Sequence, residues 1–368
     1  MTLWWFPLEP LEERYTKEWW KWFPQEFTRN NINYRVILAR RLTEKIEEGE
    51  FLDIYGRPYY ALGQIQEFVR MCKEGKVSSG DKLLFADLWH HGIEAIPYIR
   101  DLGTKDSGTY GIFHAGSYDP SDFLASKNTE YWAMPFEESI CEFVDAIFVG
   151  SQWSKKLLSE LSKVNEDKMV VTGLPINCEE ILSCVAGIKK SEDYKYVVFP
   201  HRIAPEKGIT DMTNIMDNVF SQDQDVRLVL TTARDKIGCR DPKINEVLLE
   251  FLRRNEKKII VHIGLPKVNY YSVLAQCQVV LSCAFQETFG YGVLESALVG
   301  CTPVVPNRLS YIDTLQNDKR LFYNTQEEAV DKILKYVNEP LNVSEYVKRY
   351  DLPNTIGRML KEMVKSNE

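Results

Sequence analysis

The chain has 368 residues, 44% of them hydrophobic and 27% charged, with a formal net charge of −8. That length suits two domains of ordinary size, each able to bury its own core. No segment approaches the ~18 continuous apolar residues of a membrane span, and the eight cysteines make no CxxC pair and no zinc-like spacing with the five histidines; a reduced, cytoplasmic chain is expected.

The opening Met1-Thr2-Leu3-Trp4-Trp5-Phe6-Pro7 lacks a basic leader and a long apolar core, so it reads as a first strand over 2–6, not a signal peptide. A loop rich in Pro and Glu follows over 7–16, then a helical pattern over 15–28. The rings of Trp19, Trp20, Trp22 and Phe23 cover most of that helix's circumference, which favours core packing over a platform for bases. Further strands are expected over 34–38, 82–86, 109–113, 146–149 and 169–172, with helices over 62–74, 92–102, 137–143 and 154–162. Strand and helix in alternation predict parallel α/β sheets.

Three places in this half carry candidate chemistry. His90 and His91 follow the strand at 82–86, but adjacent side chains rarely converge on one ion, so no zinc site is expected. His114 falls on the loop at the carboxyl end of the strand at 109–113, where ligands of open α/β sheets gather. Asp119 could orient an acceptor hydroxyl, although Asp119-Pro120-Ser121-Asp122 also spells a turn and helix cap.

A junction is predicted after Gly173-Leu174-Pro175-Ile176-Asn177, where turn residues lead into the polar run Lys189-Lys190-Ser191-Glu192-Asp193. The expected domains are 1–185 and 186–352, with 353–368 as a last helical segment. The second half repeats the alternation, with strands over 196–199, 226–231, 259–263, 279–282 and 303–306. Asp223-Gln224-Asp225 has a DxD spelling but lies in a polar loop and is discounted.

The most informative stretch is Phe285-Gln286-Glu287-Thr288-Phe289-Gly290-Tyr291-Gly292-Val293-Leu294-Glu295, directly after a buried strand. A glycine turn opening a helix over 293–299 offers free backbone N–H groups to a phosphate or sugar oxygen. Glu287 is placed in the loop and Glu295 about two turns into the helix. Upstream, the strand at 196–199 runs into Pro200-His201-Arg202-Ile203-Ala204-Pro205-Glu206-Lys207-Gly208. Arg202 and Lys207 there are a planar fork and a point charge, suited to an anion.

These motifs, with Gly300-Cys301-Thr302-Pro303-Val304-Val305 downstream, resemble the Glu-x7-Glu glycosyltransferases of the retaining family 4, strongly over 190–310 and more weakly before. The resemblance implies the GT-B fold, an α/β architecture of two Rossmann-like parallel-sheet domains facing a central cleft. It implies a metal-independent hexosyl- or pentosyltransferase that needs no cofactor and uses a nucleotide-diphosphate sugar, a UDP-sugar by first choice. By resemblance Arg202 and Lys207 hold the diphosphate and Glu287 binds a sugar hydroxyl. Glu295 binds the ribose, while Phe289, Gly290 and Tyr291 offer backbone N–H groups to the donor. His114 matches a histidine whose backbone carbonyl lies near the anomeric carbon. Gly290 and Gly292 would permit close approach. Ser151, with Lys155 after it, matches a structural segment, and the last helix, over 356–364, would pack back on the first domain.

Three departures stand out. The family's glycine before the arginine is His201, its Asn-Gly turn at the junction is Leu174-Pro175, and its first glycine-rich loop is the Pro/Glu segment at 7–16. That segment is therefore assigned to the acceptor. The first half looks like glycosyltransferases of tailed bacteriophages, some of which modify hydroxymethylated pyrimidines in DNA. That association makes modified DNA the expected acceptor, in the host cytoplasm. A saccharide or small-molecule acceptor is the alternative, as is a nucleotide-sugar-binding module without catalysis. Residues 1–185 carry 20 Lys+Arg against 29 Asp+Glu, and 186–368 carry 25 against 24, so contact with DNA would have to be local, as at Arg35, Arg40, Arg41 and Lys45.

Overall fold

The structure is a computed structural model and describes residues 1–11, 15–42, 53–103, 107–126, 128–162, 164–232, 237–239 and 241–365. Glu12, Glu13 and Arg14 of the Pro/Glu loop and Lys45 of the basic cluster lie outside the described residues. The chain divides into two compact units, one of Met1–Pro175 with Leu352–Glu368, the other of Ile176–Asp351.

The first unit is built on six strands: β1 (Leu3–Phe6), β2 (Tyr34–Val36), β3 (Lys82–Phe85), β4 (Gly108–Phe113), β5 (Ala146–Val149) and β6 (Met169–Val171). They form one parallel sheet in the order β2-β1-β3-β4-β5-β6. Every residue of β1, β3, β4 and β5 is buried, as a parallel sheet covered on both faces requires. Trp5 stacks on Phe23 with ring centroids 4.4 Å apart, and Trp19, Trp22 and Phe27 are buried beside it. The aromatic helix thus packs into the core.

Helix boundaries differ from expectation where local caps decide them. The helix expected over 62–74 spans Gly56–Lys73, because Asp53 Oδ1 accepts from the N–H groups of Tyr55 and Gly56 and nucleates an earlier start. The one expected over 92–102 begins at Ala95, since Gly92 has φ of 87°, outside any right-handed helix. Helix Glu130–Phe143 starts well before 137 and carries Pro135 within it.

Six more strands build the second unit: β7 (Lys195–Phe199), β8 (Val226–Thr232), β9 (Ile259–Ile263), β10 (Val279–Leu281), β11 (Thr302–Pro306) and β12 (Phe322–Tyr323). They too form one parallel sheet, in the order β12-β11-β10-β7-β8-β9. The chain builds outward from β7 to β9, then returns to place β10 on the other side of β7. The crevice between the carboxyl ends of β7 and β10 is the topological switch point, where open α/β sheets bind ligands. Helix Ile209–Gln222 covers one face with Ile209, Met212, Ile215, Met216, Val219 and Phe220, a helical stripe in the unit's core.

The segment after Pro175 groups with the second unit. Ile176 N–H donates to the Tyr350 carbonyl at 2.8 Å, Cys178 N–H donates to Asp351 Oδ1 at 3.0 Å, and helix Cys178–Cys184 packs on helices Lys267–Gln276 and Tyr291–Leu298. Helix Leu352–Lys365 belongs to the first unit, against helix Trp19–Arg29, with Arg358 donating to the Thr172 carbonyl. All eight cysteines are free thiols, and burial pushes those of Cys141, Cys178 and Cys283 up to about 12. Among the described residues no helix is long and apolar enough to cross a membrane.

Candidate functional site

Two loops meet at the switch point of the second unit. The first leaves β7 through a short 3-10 turn, Pro205–Lys207, and ends at Gly208, which has φ of 69° and starts helix Ile209–Gln222. A Cβ on Gly208 would stand 2.2 Å from the Cys283 carbonyl oxygen, so only glycine lets the loops touch there. The second loop leaves β10 and ends at Gly290, with φ of 88°, which starts helix Tyr291–Leu298. Phe285 N–H donates to the Glu206 carbonyl at 2.8 Å and stitches the two together.

Lys207 is buried in this seam. Its Nζ donates to the Gln286 carbonyl at 2.7 Å and to Glu287 Oε2 at 3.2 Å. The other oxygen of Glu287 accepts from Gly290 N–H at 3.0 Å. One carboxylate thus bridges an ammonium and a helix N-terminus, the two features that attract an anion. Burial works against its charge, but Lys207 and the backbone N–H of Phe289 overcome that and hold the carboxyl below its ordinary range. Arg202 donates through Nε to Glu206 Oε1 at 3.0 Å, and burial notwithstanding, Arg202 holds the Glu206 carboxyl low.

Glu295 is the fifth residue of helix Tyr291–Leu298, just over one turn in where two were expected, and the helix itself starts two residues before the expected 293, directly after the Gly290 turn. It is 4% exposed, and its Oε1 accepts from Tyr271 OH at 3.2 Å and Lys267 Nζ at 3.3 Å. Phe289 contributes its ring to the core, against Tyr291 and Tyr350. A Cβ on Gly292 would lie 2.8 Å from the Pro200 carbonyl oxygen, so that glycine already serves contact between loop and helix. Arg202, Lys207, Glu287, Phe289, Gly290, Tyr291 and Glu295 all come together in this one unit.

His114 lies in the first unit and its ring is fully engaged. Nε2 is 2.8 Å from the Ala86 carbonyl, which can only accept, so that nitrogen carries the proton and Nδ1 accepts from Tyr15 OH at 2.8 Å. The ring anchors the loop. Asp119 behaves as a turn residue, Oδ1 accepting from Ser121 N–H at 2.9 Å. His90 Nε2 lies 3.0 Å from Gln64 Oε1, and Ser151 Oγ accepts from Ser154 N–H at 3.1 Å as a helix cap. Asp223 pairs with Lys195 at 2.7 Å. Among the described residues no group of three or more His, Cys, Asp or Glu could hold a metal ion.

Residues the sequence left without a role also build these loops. Glu206 is an unassigned position of the stretch 200–208, and Lys267, Tyr271 and Tyr311 lie outside every motif; Tyr311 supports the Gly290 turn, where a Cβ would meet its ring at 3.0 Å. Fully buried Glu137 holds the loop after His114: it accepts from Trp89 Nε1 at 2.8 Å, from Ser117 N–H at 2.7 Å and from Ser117 Oγ at 2.7 Å. Burial raises its pKa against those bonds. Glu137→Ala orphans all three donors and will destabilise the chain by about 3 kcal/mol or more, read as a fall in thermal midpoint, while Glu137→Gln will cost less.

Comparison with known proteins bears on both units. The tRNA-queuosine alpha-mannosyltransferase of Drosophila melanogaster is 25% identical over 185 residues, 48% of this chain and 46% of that protein. The chain spans about half the length of the curated relatives it matches. Sucrose-phosphate synthase from Thermosynechococcus elongatus superposes with a TM-score of 0.71 at 12% identity, covering 100% of both chains. Anabaena Alr3699/HepE, solved in complex with UDP, does so with a TM-score of 0.65 at 12% identity, covering 99% of both. The two parallel-sheet units have the GT-B fold, and residues 185–351, which hold the whole Lys207–Glu287–Gly290–Glu295 constellation, match the family model of glycosyl transferases group 1.

Proposed function

We propose that the chain is a metal-independent, retaining glycosyltransferase of the family 4 type, moving a hexose or pentose from a nucleoside-diphosphate sugar to a hydroxyl on a modified nucleic-acid base. The observation that carries this reading is the seat at the switch point, where Lys207, Gly290 N–H and the Glu287 carboxylate converge. Bond cleavage leaves new negative charge on the diphosphate. Arg202 and Lys207 stand where that charge develops, with the helix N-terminus after Gly208 beside them. A donor phosphate takes Lys207 from Glu287, which frees the carboxylate for a sugar hydroxyl. Glu295, held by Tyr271 and Lys267, presents its carboxylate to the ribose hydroxyls. Phe289, Gly290 and Tyr291 supply N–H groups at the same turn.

No carboxylate is motif-placed as a covalent nucleophile, so retention proceeds by front-face displacement. The acceptor hydroxyl forms its bond to the anomeric carbon as the bond to the diphosphate breaks, and the departing phosphate takes the hydroxyl proton. The His114 backbone carbonyl serves the developing positive charge at that carbon. Support for the donor comes from the neighbour solved with UDP, and for the acceptor from the relative named for a modified tRNA nucleoside. Hydroxymethylated pyrimidine in DNA is the first acceptor, in keeping with the phage-like first half, and the reaction takes place in the host cytoplasm.

The test is nucleoside mass spectrometry. Hydroxymethylated DNA, unmodified DNA and tRNA are each incubated with the protein and a pool of UDP- and GDP-sugars, then digested. A sugar-mass increment confined to hydroxymethylated DNA is expected, and Arg202→Ala should lower its rate at least tenfold. An increment on tRNA alone would move the acceptor to a tRNA nucleoside. Increments on none, with free sugar and nucleotide accumulating, would overturn the nucleic-acid acceptor in favour of a saccharide or small molecule. Donor binding without any turnover would make the chain a binding module.

A further inference from the structure

His201 stands where the resemblance has a glycine, immediately before Arg202. The residue is 6% exposed, its ring stands edge-on to Phe199 with centroids 4.8 Å apart, and Nε2 is buried with no hydrogen-bond partner. A buried polar atom in that state costs about 1–3 kcal/mol. Such orphans in a loop otherwise stitched by hydrogen bonds call for a function. The charged groups that act on the ring are Lys207, Glu287 and Arg202, all three assigned above to the donor.

We infer that His201 is a third ligand of the donor's diphosphate, its Nε2–H donating to a phosphate oxygen held between Arg202 and Lys207. This rests on the donor reading above. The chemistry around the ring selects an anion over a base or a sugar hydroxyl. Two cations lie beside it, and Gly208 starts a helix whose first N–H groups have no intrahelical acceptor. Glu287 shows that an anionic oxygen is stable there, since its carboxylate rests on Lys207 and on Gly290 N–H. In the inferred complex a phosphate replaces that carboxylate on Lys207 and brings one oxygen to Nε2. Burial, reinforced by Lys207, brings the His201 pKa down to about 3, so the ring is neutral at physiological pH. A neutral donor adds a hydrogen bond without setting a third positive charge against Arg202 and Lys207.

Calorimetric titration with UDP and GDP, and with uridine and guanosine as phosphate-free controls, tests this on the full chain. His201→Gln places an amide nitrogen near the Nε2 position, His201→Asn does not reach it, and His201→Ala removes it. Affinity for whichever diphosphate the wild type binds should fall about tenfold or more in the Asn and Ala variants, the loss expected for one hydrogen bond to a charged group. It should stay within threefold in the Gln variant, with nucleoside affinity the same throughout. Asn and Ala variants that bind the diphosphate like the wild type overturn the inference while leaving the donor site standing. An equal loss for diphosphate and nucleoside also overturns it, because it marks general loosening of the loop. A wild type that binds neither diphosphate refutes the donor reading itself, and the inference with it.

Discussion

Lys207→Ala will lower turnover by about 10²–10³-fold, the effect of removing one preorganised donor from a developing oxyanion. The side chain gives its charge to the centre of the proposed donor seat and is only 10% exposed, so no neighbouring water replaces it well. Lys207→Arg will not rescue the loss, because a planar fork cannot take the place of a compact ammonium wedged between Gln286 and Glu287. The same substitution has a structural signature that needs no assay of activity. It strands the Gln286 carbonyl and leaves the Glu287 carboxylate with the turn's N–H groups alone, at a cost of about 1–3 kcal/mol. Lys195→Ala, which breaks a more exposed pair with Asp223, should cost about 1 kcal/mol or less and leave turnover unchanged. Equal turnover in Lys207→Ala and the wild type would remove Lys207 from the chemistry.

Acid will destabilise both units well above the pH at which carboxylates titrate. His90 in the first unit and His201 in the second are each brought down to about 3, chiefly by burial, with Arg57 repelling the first proton and Lys207 the second. Both histidines bind protons less readily folded than unfolded. Their contribution to stability is therefore full above the ordinary histidine value of about 6.5 and is lost as pH falls toward about 3. The slope is at most about 1.4 kcal/mol per pH unit for each ring. Asp87 and Glu287, both held low, act in the same direction but only below the ordinary carboxylate range of about 4. Glu137 is held high and has the opposite sign, gaining stability as it takes up a proton. Urea midpoints should fall steadily between about pH 6.5 and 4.5. His201→Gln should flatten that fall for the second unit. Midpoints level down to pH 4.5 would show that these rings titrate normally.

The fold was legible because both sheets are parallel and covered on each face. Their strands read as short apolar runs such as Leu3–Phe6 and Val279–Leu281, separated by helical patterns. The two-residue β12 (Phe322–Tyr323) was not legible, being too short to show any alternation. The turn that carries Glu287, Gly290 and Glu295 was legible because it is local: a glycine turn and the acids on either side of it lie within eleven consecutive positions, 285–295. What joins the loops was not. The Glu206 carbonyl reaches Phe285, and Lys267 and Tyr271 reach Glu295 across 28 and 24 residues, through contacts that only the folded sheet order creates. His114 lies on the loop directly after strand Gly108–Phe113, as its place in the sequence implies, but its ring is an anchor between Tyr15 and Ala86, partners that spacing cannot reveal. His201 was visible as a departure from a pattern, and only burial shows that its Nε2 has no partner.

The measurement that bears most directly on the central claim is release of nucleoside diphosphate from a panel of UDP- and GDP-sugars, followed by chromatography, with and without nucleic acid. The account predicts slow release from at least one sugar nucleotide without acceptor, a large acceleration with acceptor, and loss of both in Lys207→Ala. No release from any sugar nucleotide, together with no rise in the thermal midpoint when UDP or GDP is added, would contradict it.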